Sequence, residues 1–323
     1  RPCRRRCSME RFVAESIVKR VEYSLFLRTL FGGRRSGVAV ERVATLMRDV
    51  YFDAGQVIYR RAEASTHIYF IVSGQIVLDA PGLAPWTFGP RDGVGFLDAM
   101  QDASHARTAR AATDVHALAF SVEDWFDVLE GHPELGRGAL LDHADSVAKM
   151  IEVLGVARAF PGGHAPVPAD LRRPPGLVER MLALTDSPIF ARAGIQAVAV
   201  LAQRARPVAL HEGAEIVLES APREHRLWLV AQGEVALRRS QESEAGRVGP
   251  GALVGGLAVM ARDDQSATLS AATDTVALEF SEYDLMDVMD DHFDFSKAIF
   301  AYMARERGRL MEIVAQERAP ISS

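Results

Sequence analysis

Gly249-Pro250-Gly251-Ala252-Leu253-Val254-Gly255-Gly256-Leu257-Ala258, followed by Gln265-Ser266-Ala267-Thr268, Thr273-Asp274 and Phe280-Ser281, has a counterpart 160 residues earlier in the same chain. Gly89 to Ser121 aligns to Gly249 to Ser281 without a gap, and 15 of the 33 positions are identical. Agreement this dense at one constant shift reads as a duplication. The match extends upstream with small slips: Ile68 to Gly74 answers Leu227 to Gly233, and Gly55 answers Gly213. Two copies are too few for a solenoid, so the chain reads as a tandem pair of domains.

Inside each copy, apolar runs of strand length are broken by glycine. In the first they are Gln56 to Tyr59, Ile68 to Val72, Gln75 to Leu78 and Val115 to Phe120. Gly74 and Gly233 lie between two such runs, where a tight turn asks for positive φ. The pattern predicts a mainly β fold with flanking α: two jelly-roll β-barrels, cupin-like in outline, each with helices before and after it. Three- and four-residue apolar spacing predicts helices over Met9–Leu30, Val38–Met47, Leu177–Leu184, Gly194–Ala205 and Ser296–Arg318. Leu140, Ala144, Val147, Ile151 and Leu154 form a four-three-four-three seam, and Ile299, Met303, Leu310 and Ile313 follow the same rhythm with Glu306 interrupting it. Such a seam packs on its own domain or on a second copy of the chain, which leaves a homodimer through the C-terminal helix open.

Five prolines and two adjacent glycines between Phe160 and Gly176 rule out a continuing helix. The expected domains are therefore a basic leader and N-terminal helix over 1–24, a first domain over 25–156, a linker over 157–176 and a second domain over 177–323.

The chain has 323 residues, 48% of them hydrophobic, which suffices for two packed cores. No run approaches the length of a membrane-spanning helix, and the start lacks the apolar centre of a secretory signal, so a soluble cytoplasmic protein is expected. Cys3 and Cys7 are the only cysteines; both lie in the Arg-rich leader ahead of Met9, so neither a disulfide framework nor a zinc site is expected. The net charge of −6 argues against a general nucleic-acid surface. Because lysine occurs only at positions 19, 149 and 297, arginine is the default cation of this chain and single arginines carry little functional weight.

The Gly249–Ser281 segment resembles the phosphate-binding cassette of the cyclic-nucleotide-binding domain, the module of the catabolite activator protein and of the regulatory subunit of cyclic-AMP-dependent protein kinase. The resemblance covers roughly Leu25 to Leu154 and Leu177 to Ala315. It implies that a cyclic phosphate is held by backbone amides at the start of a short helix and by one arginine, while a glutamate after the glycine grips the ribose. An arginine fork suits two phosphate oxygens. Both side chains are replaced here: the glutamate position holds Phe96 after Gly95 and Gly256 after Gly255, and the arginine position holds His105 and Gln265. Loss of the arginine alone weakens binding by about one to three orders of magnitude.

The candidate ligand residues are thus Gly95, Phe96, Leu97, Asp98, His105, Arg107 and Thr108 in the first copy. Gly255, Gly256, Leu257, Gln265, Ser266, Ala267 and Thr268 form the second set, which is expected to be inactive. Arg107, two residues after His105, falls on the same strand face and with it could form a shifted anion site, with Asp98 reaching a hydroxyl. The alternative is that His105 and Arg107 are surface residues of a decayed site.

Enzyme motifs are missing. No Lys-Ser/Thr follows the glycine-rich run, and His211-Glu212 has no second histidine four residues on. A metal-dependent cupin would need paired histidines that isolated His67, His105 and His116 do not supply. The helical pattern from Ser296 to Arg318 takes up most of the residues after Ser281, so direct DNA binding is not expected. The reading is a regulatory or scaffolding protein without a cofactor and with an unidentified protein partner. A sensor of a cyclic nucleotide or other anion, signalling through the helix after the first domain, is the alternative.

Overall fold

The computed structural model describes residues 37–162, 168–216, 226–239, 245–255 and 267–318. The expected helix over Met9–Leu30 lies outside them. The first copy begins with helix α1 (Gly37–Leu46). It continues through strands β1 (Arg48–Phe52), β2 (Val57–Tyr59), β3 (His67–Ser73), β4 (Ile76–Asp79), β5 (Trp86–Phe88) and β6 (Gly93–Val94), then the one-turn helix α2 (Phe96–Met100). Strands β7 (Thr108–Ala111) and β8 (Val115–Ser121) complete it, and helices α3 (Val122–Gly131), α4 (Pro133–Leu154) and α5 (Val156–Ala159) follow.

The second copy repeats this plan. Helices α6 (Leu177–Thr185) and α7 (Ile195–Arg204) precede strands β9 (Arg206–Leu210), β10 (Glu215–Ile216), β11 (Arg226–Gln232), β12 (Val235–Arg239), β13 (Gly246–Val248), β14 (Leu253–Val254), β15 (Ala267–Ala271) and β16 (Thr275–Ser281). Helices α8 (Glu282–Asp291) and α9 (Phe293–Arg318) close it.

Each copy builds two four-stranded antiparallel sheets, ordered β1-β8-β3-β6 and β2-β7-β4-β5 in the first, β14-β11-β16-β9 and β10-β15-β12-β13 in the second. The expected jelly-roll pairing is present as two facing sheets, with no hydrogen-bonded closure into a ring among the described residues. Inward-facing Tyr59, Ile71, Ile76, Leu78, Ala109, Val115 and Ala117 come from both sheets of the first copy and form one core; Ile216, Trp228, Val230, Val235, Leu269 and Ala277 do so in the second. Alternation along each strand explains this: every second residue faces the partner sheet.

The duplication reaches the irregularities. A bulge interrupts β3 between Ile71 and Ser73, and another interrupts β11 between Val230 and Gln232. The glycine after each bulged strand, Gly74 or Gly233, has φ of 89° or 82°, and a Cβ there would lie 2.2 Å from the carbonyl oxygen of Asp114 or Asp274. Only glycine fits such a turn, because both the left-handed backbone and the close approach forbid a side chain.

The chain divides into two compact units between Ala139 and Leu140, inside α4 and upstream of the Pro/Gly-rich stretch. The stretch 157–162 belongs to the second unit: Arg247 N donates to Phe160 O at 2.8 Å and Pro161 bridges to Arg247. The first apolar seam is core, and so is the second except at half-buried Ile313. Leu140, Ala144, Val147, Ile151 and Leu154 are buried in the single chain, as are Ile299, Met303 and Leu310 of α9, while Phe295 stacks on Phe190 at 5.2 Å. A homodimer through these positions would have to uncover them.

Candidate functional site

The first cassette starts where β6 ends. Gly95 adopts φ 86°, and a Cβ would stand 2.8 Å from His67 O, so the turn into α2 passes too close to β3 for any side chain. Helix α2 then carries Phe96, Leu97 and Asp98. Phe96 turns to the helical side and meets Trp125 of α3 edge-on at 6.0 Å. Leu97 O accepts from Gln101 Nε2 at 3.0 Å.

His105, at the family's arginine position, is 4% exposed. Its backbone is fixed on both sides: His105 N donates to Glu63 O and Ala62 N donates to His105 O, each at 2.8 Å. Its ring lies flat on Tyr59 at the end of β2, 3.6 Å between centroids and 12° between planes. Nδ1 is 3.0 Å from Asp98 Oδ2. An ionised carboxylate only accepts, so Nδ1 is the protonated nitrogen of the pair. The other oxygen, Asp98 Oδ1, accepts from the amide of Ala106 at 3.3 Å. A carboxylate of this chain thus sits on the amide that follows the arginine position.

The structure settles where Arg107 goes. It is 2% exposed, its Nη1 donates to Leu78 O at 3.3 Å and to Ala84 O at 2.8 Å, and its guanidinium lies 4.0 Å above the Trp86 ring. The carbonyls and the indole face meet a cation's need for acceptors and π density. Of the two residues of the expected shifted anion site, Arg107 bonds β4 and the loop before β5 while His105 bonds Asp98. Neither residue is on the surface, because both are buried. Thr108 Oγ1 accepts from Arg61 N at 3.1 Å and so anchors the β2–β3 connection.

Two residues outside the motif complete the site. Tyr59 packs between His105 and Tyr69, whose ring centroid is 6.4 Å away. Its hydroxyl is buried and has no hydrogen-bond partner among the described residues. Burial first, then the charge of Asp98, raises its pKa above the ordinary phenol value, so it remains a neutral donor. Trp86 supplies the stacking face for Arg107. Neither residue belongs to the cassette; only strand register brings them there.

In the second copy Gly255 repeats the left-handed turn with φ 88°. Gly256, Leu257, Gln265 and Ser266 lie outside the described residues. Ala267 opens β15, and Thr268 pairs with Arg238 of β12 as an exposed strand residue. Among the described residues no three His, Cys, Asp or Glu side chains converge as metal ligands, and no helix is long and apolar enough to cross a membrane.

The cyclic nucleotide-binding domain family model matches residues 49–132 and 207–292. No curated protein sequence matches the chain. Among solved structures it is similar to the regulatory subunit of a cAMP-independent protein kinase A from Trypanosoma brucei, at 16% identity over 84% of this chain and 89% of that one, with a TM-score of 0.34. It is also similar to the regulatory domain of Toxoplasma gondii protein kinase A in complex with cAMP, at 12% identity, 92% and 97% coverage and a TM-score of 0.34. A third is the Trypanosoma cruzi regulatory subunit bound to guanosine, at 15% identity, 84% and 87% coverage and a TM-score of 0.33. Glycine turns, sheet order and cassette position all recur at the two matched segments, and the chain belongs to the cyclic nucleotide-binding domain family, which it carries in tandem.

Proposed function

We propose that this chain is a cytoplasmic, non-enzymatic regulatory or scaffolding protein whose first domain does not take cyclic nucleotide in the family manner and whose work is association with a protein partner. One observation carries the reading: Asp98 places its own carboxylate on the Ala106 amide and on His105. A cyclic phosphodiester entering there would meet a carboxylate that already bonds the Ala106 amide at 3.3 Å, and no arginine at the family position to offset it. Like charges at this range strongly disfavour a second anion. The internal bonds of Arg107 support the same reading, since the nearest arginine in sequence bonds backbone carbonyls of β4 and of the loop before β5.

Calorimetry with cAMP tests this. The wild-type chain is expected to give no binding heat at about 1 mM nucleotide, the range left once the charged hydrogen bonds are lost. The double variant Asp98→Ala with His105→Arg removes the acid and restores the fork, and should bind at least about tenfold more tightly than the wild type. Micromolar binding by the wild type would end the proposal.

A second reading rests on Tyr59. A buried phenol with no acceptor favours a ligand that brings one, and the adjacent carboxylate favours an uncharged ligand with hydroxyls. Guanosine is a suitable probe. Saturable guanosine binding that is lost in Tyr59→Phe would favour a sensor of neutral nucleosides over a pure scaffold.

A further inference from the structure

A cavity of about 90 Å³ lies inside the second unit, where α4, α8 and α9 meet the cassette strand β14. Val147 of α4, Phe160, Phe190, Leu253 of β14, Leu285 of α8 and Tyr302 of α9 line it. A single water needs roughly 10–15 Å³, so the space admits a group of roughly six to nine non-hydrogen atoms, from benzene to indole in size. Glu306 and Arg309 of α9 also line it, and their side chains, 25% and 36% exposed, mark its rim. These two charges pair with each other at 2.9 Å, and Arg309 Nη2 donates to Ala159 O at 2.9 Å. The charges that line the cavity therefore cancel. Tyr302 keeps its proton, because burial first and then the charge of Glu306 raise its pKa, against Arg309 and Arg305. An apolar chamber with a few polar groups on one side suits an uncharged ligand.

The first copy shows which shape fits. At the constant shift of 160 residues Leu285 of α8 answers Trp125 of α3, and Gly256 answers Phe96. In the first copy the Trp125 ring is buried and meets Phe96 and Phe120 edge-on, at 6.0 and 5.8 Å. Phe120 has its counterpart in Phe280, which is buried as well. The second copy thus keeps one ring of this trio and lacks the other two, and the residue that stands for Trp125 lines the cavity. Interiors are close-packed, so a leucine in place of an indole opens space wherever the surroundings do not collapse onto it.

We infer that this cavity is a binding site for an uncharged aromatic ring of about indole size, which supplies from solution the ring that the first copy carries as Trp125. Phe160 and Phe190 offer it aromatic neighbours, and a polar group on the ring finds Tyr302 and the Glu306 rim. The site does not depend on whether either cassette takes nucleotide.

Indole is titrated into the full-length chain and followed by calorimetry, with benzoate as a parallel anionic arm. Saturable indole binding below about 10 mM is expected, with benzoate the weaker ligand. Leu285→Trp builds the ring of the first copy into the second. It should weaken indole binding about tenfold or more without lowering the melting temperature, whereas a ring forced into a filled core would lower it. Where Leu285→Trp melts below the wild type, Leu253→Phe decides: it enlarges a half-buried lining residue from the strand side and should weaken indole binding to the same extent. The proposal is overturned if the wild type binds no indole up to about 10 mM, if the deciding variant fails to weaken indole binding, or if benzoate binds as well as indole.

Discussion

Lowering the pH should destabilise the second unit through one residue, His143 on α4. It is buried, and its Nε2 is 3.0 Å from the carbonyl oxygen of Met303 on α9. Burial first, and then the positive charge of Arg307, lower its pKa from 6.5 to about 4, against the opposing effect of the Met303 carbonyl. The folded chain therefore keeps His143 neutral where the unfolded chain would protonate it. Between about pH 6.5 and 4 the unfolded state binds more protons, so stability from this group is full above 6.5 and falls as the pH drops. From pH 7.5 to pH 5 the loss is about 2 kcal/mol, since each pH unit inside the window is worth about 1.4 kcal/mol. The assay is urea unfolding of the full chain at both pH values, beside His143→Gln, whose amide keeps a donor for Met303 but does not titrate. Other histidines and carboxylates contribute to both proteins and cancel in the difference. If the wild type loses no more stability than His143→Gln between these pH values, the imidazole is not held neutral by its surroundings and the reasoning fails.

The turn glycines make a sharper claim about the fold. Gly233→Ala would put a methyl group 2.2 Å from Asp274 O on a left-handed backbone, and should lower stability by at least about 2 kcal/mol in thermal melts, with Gly74→Ala behaving alike. Arg107→Ala removes the donor for Leu78 O and Ala84 O, and should destabilise by about 1.5–3 kcal/mol in the same assay while leaving any ligand titration of the first domain unchanged. An altered nucleotide affinity without a stability change would show that Arg107 is a ligand residue after all.

The fold was legible because duplication and alternation are both properties of sequence. A fixed shift of 160 residues exposed the repeat, and runs such as Ile68 to Val72 and Val115 to Phe120 are long enough to declare their period. Strand β9 was not legible: Arg206-Pro207-Val208-Ala209-Leu210 contains a proline, tolerated because β9 is an edge of its sheet. The cassette positions of Asp98 and His105 could be read from spacing, but their mutual bond could not. It arises because α2 and His105, three residues before β7, close on each other in space, seven positions apart. The internal fate of Arg107 was hidden for a related reason. Face alternation places it beside His105 in direction, yet only the neighbouring strand register brings Trp86 and the Leu78 carbonyl under it. Glu279 gave no sign at all, since an acid in an otherwise apolar strand looks the same whether it is solvated or clamped by arginines from two other strands.

If the first cassette excludes cyclic nucleotide as proposed, Asp98 is its intramolecular inhibitor, covalently attached to the site whose amide it bonds. Its local concentration at the Ala106 amide is set by a one-turn helix instead of by supply, and even flexible attachment over short distances corresponds to millimolar levels or more. A soluble anion of equal intrinsic affinity would have to reach that concentration to displace it. On the proposed reading such a pocket is insensitive to swings in nucleotide levels, and returning it to them takes two substitutions, one that removes the carboxylate and one that restores the guanidinium.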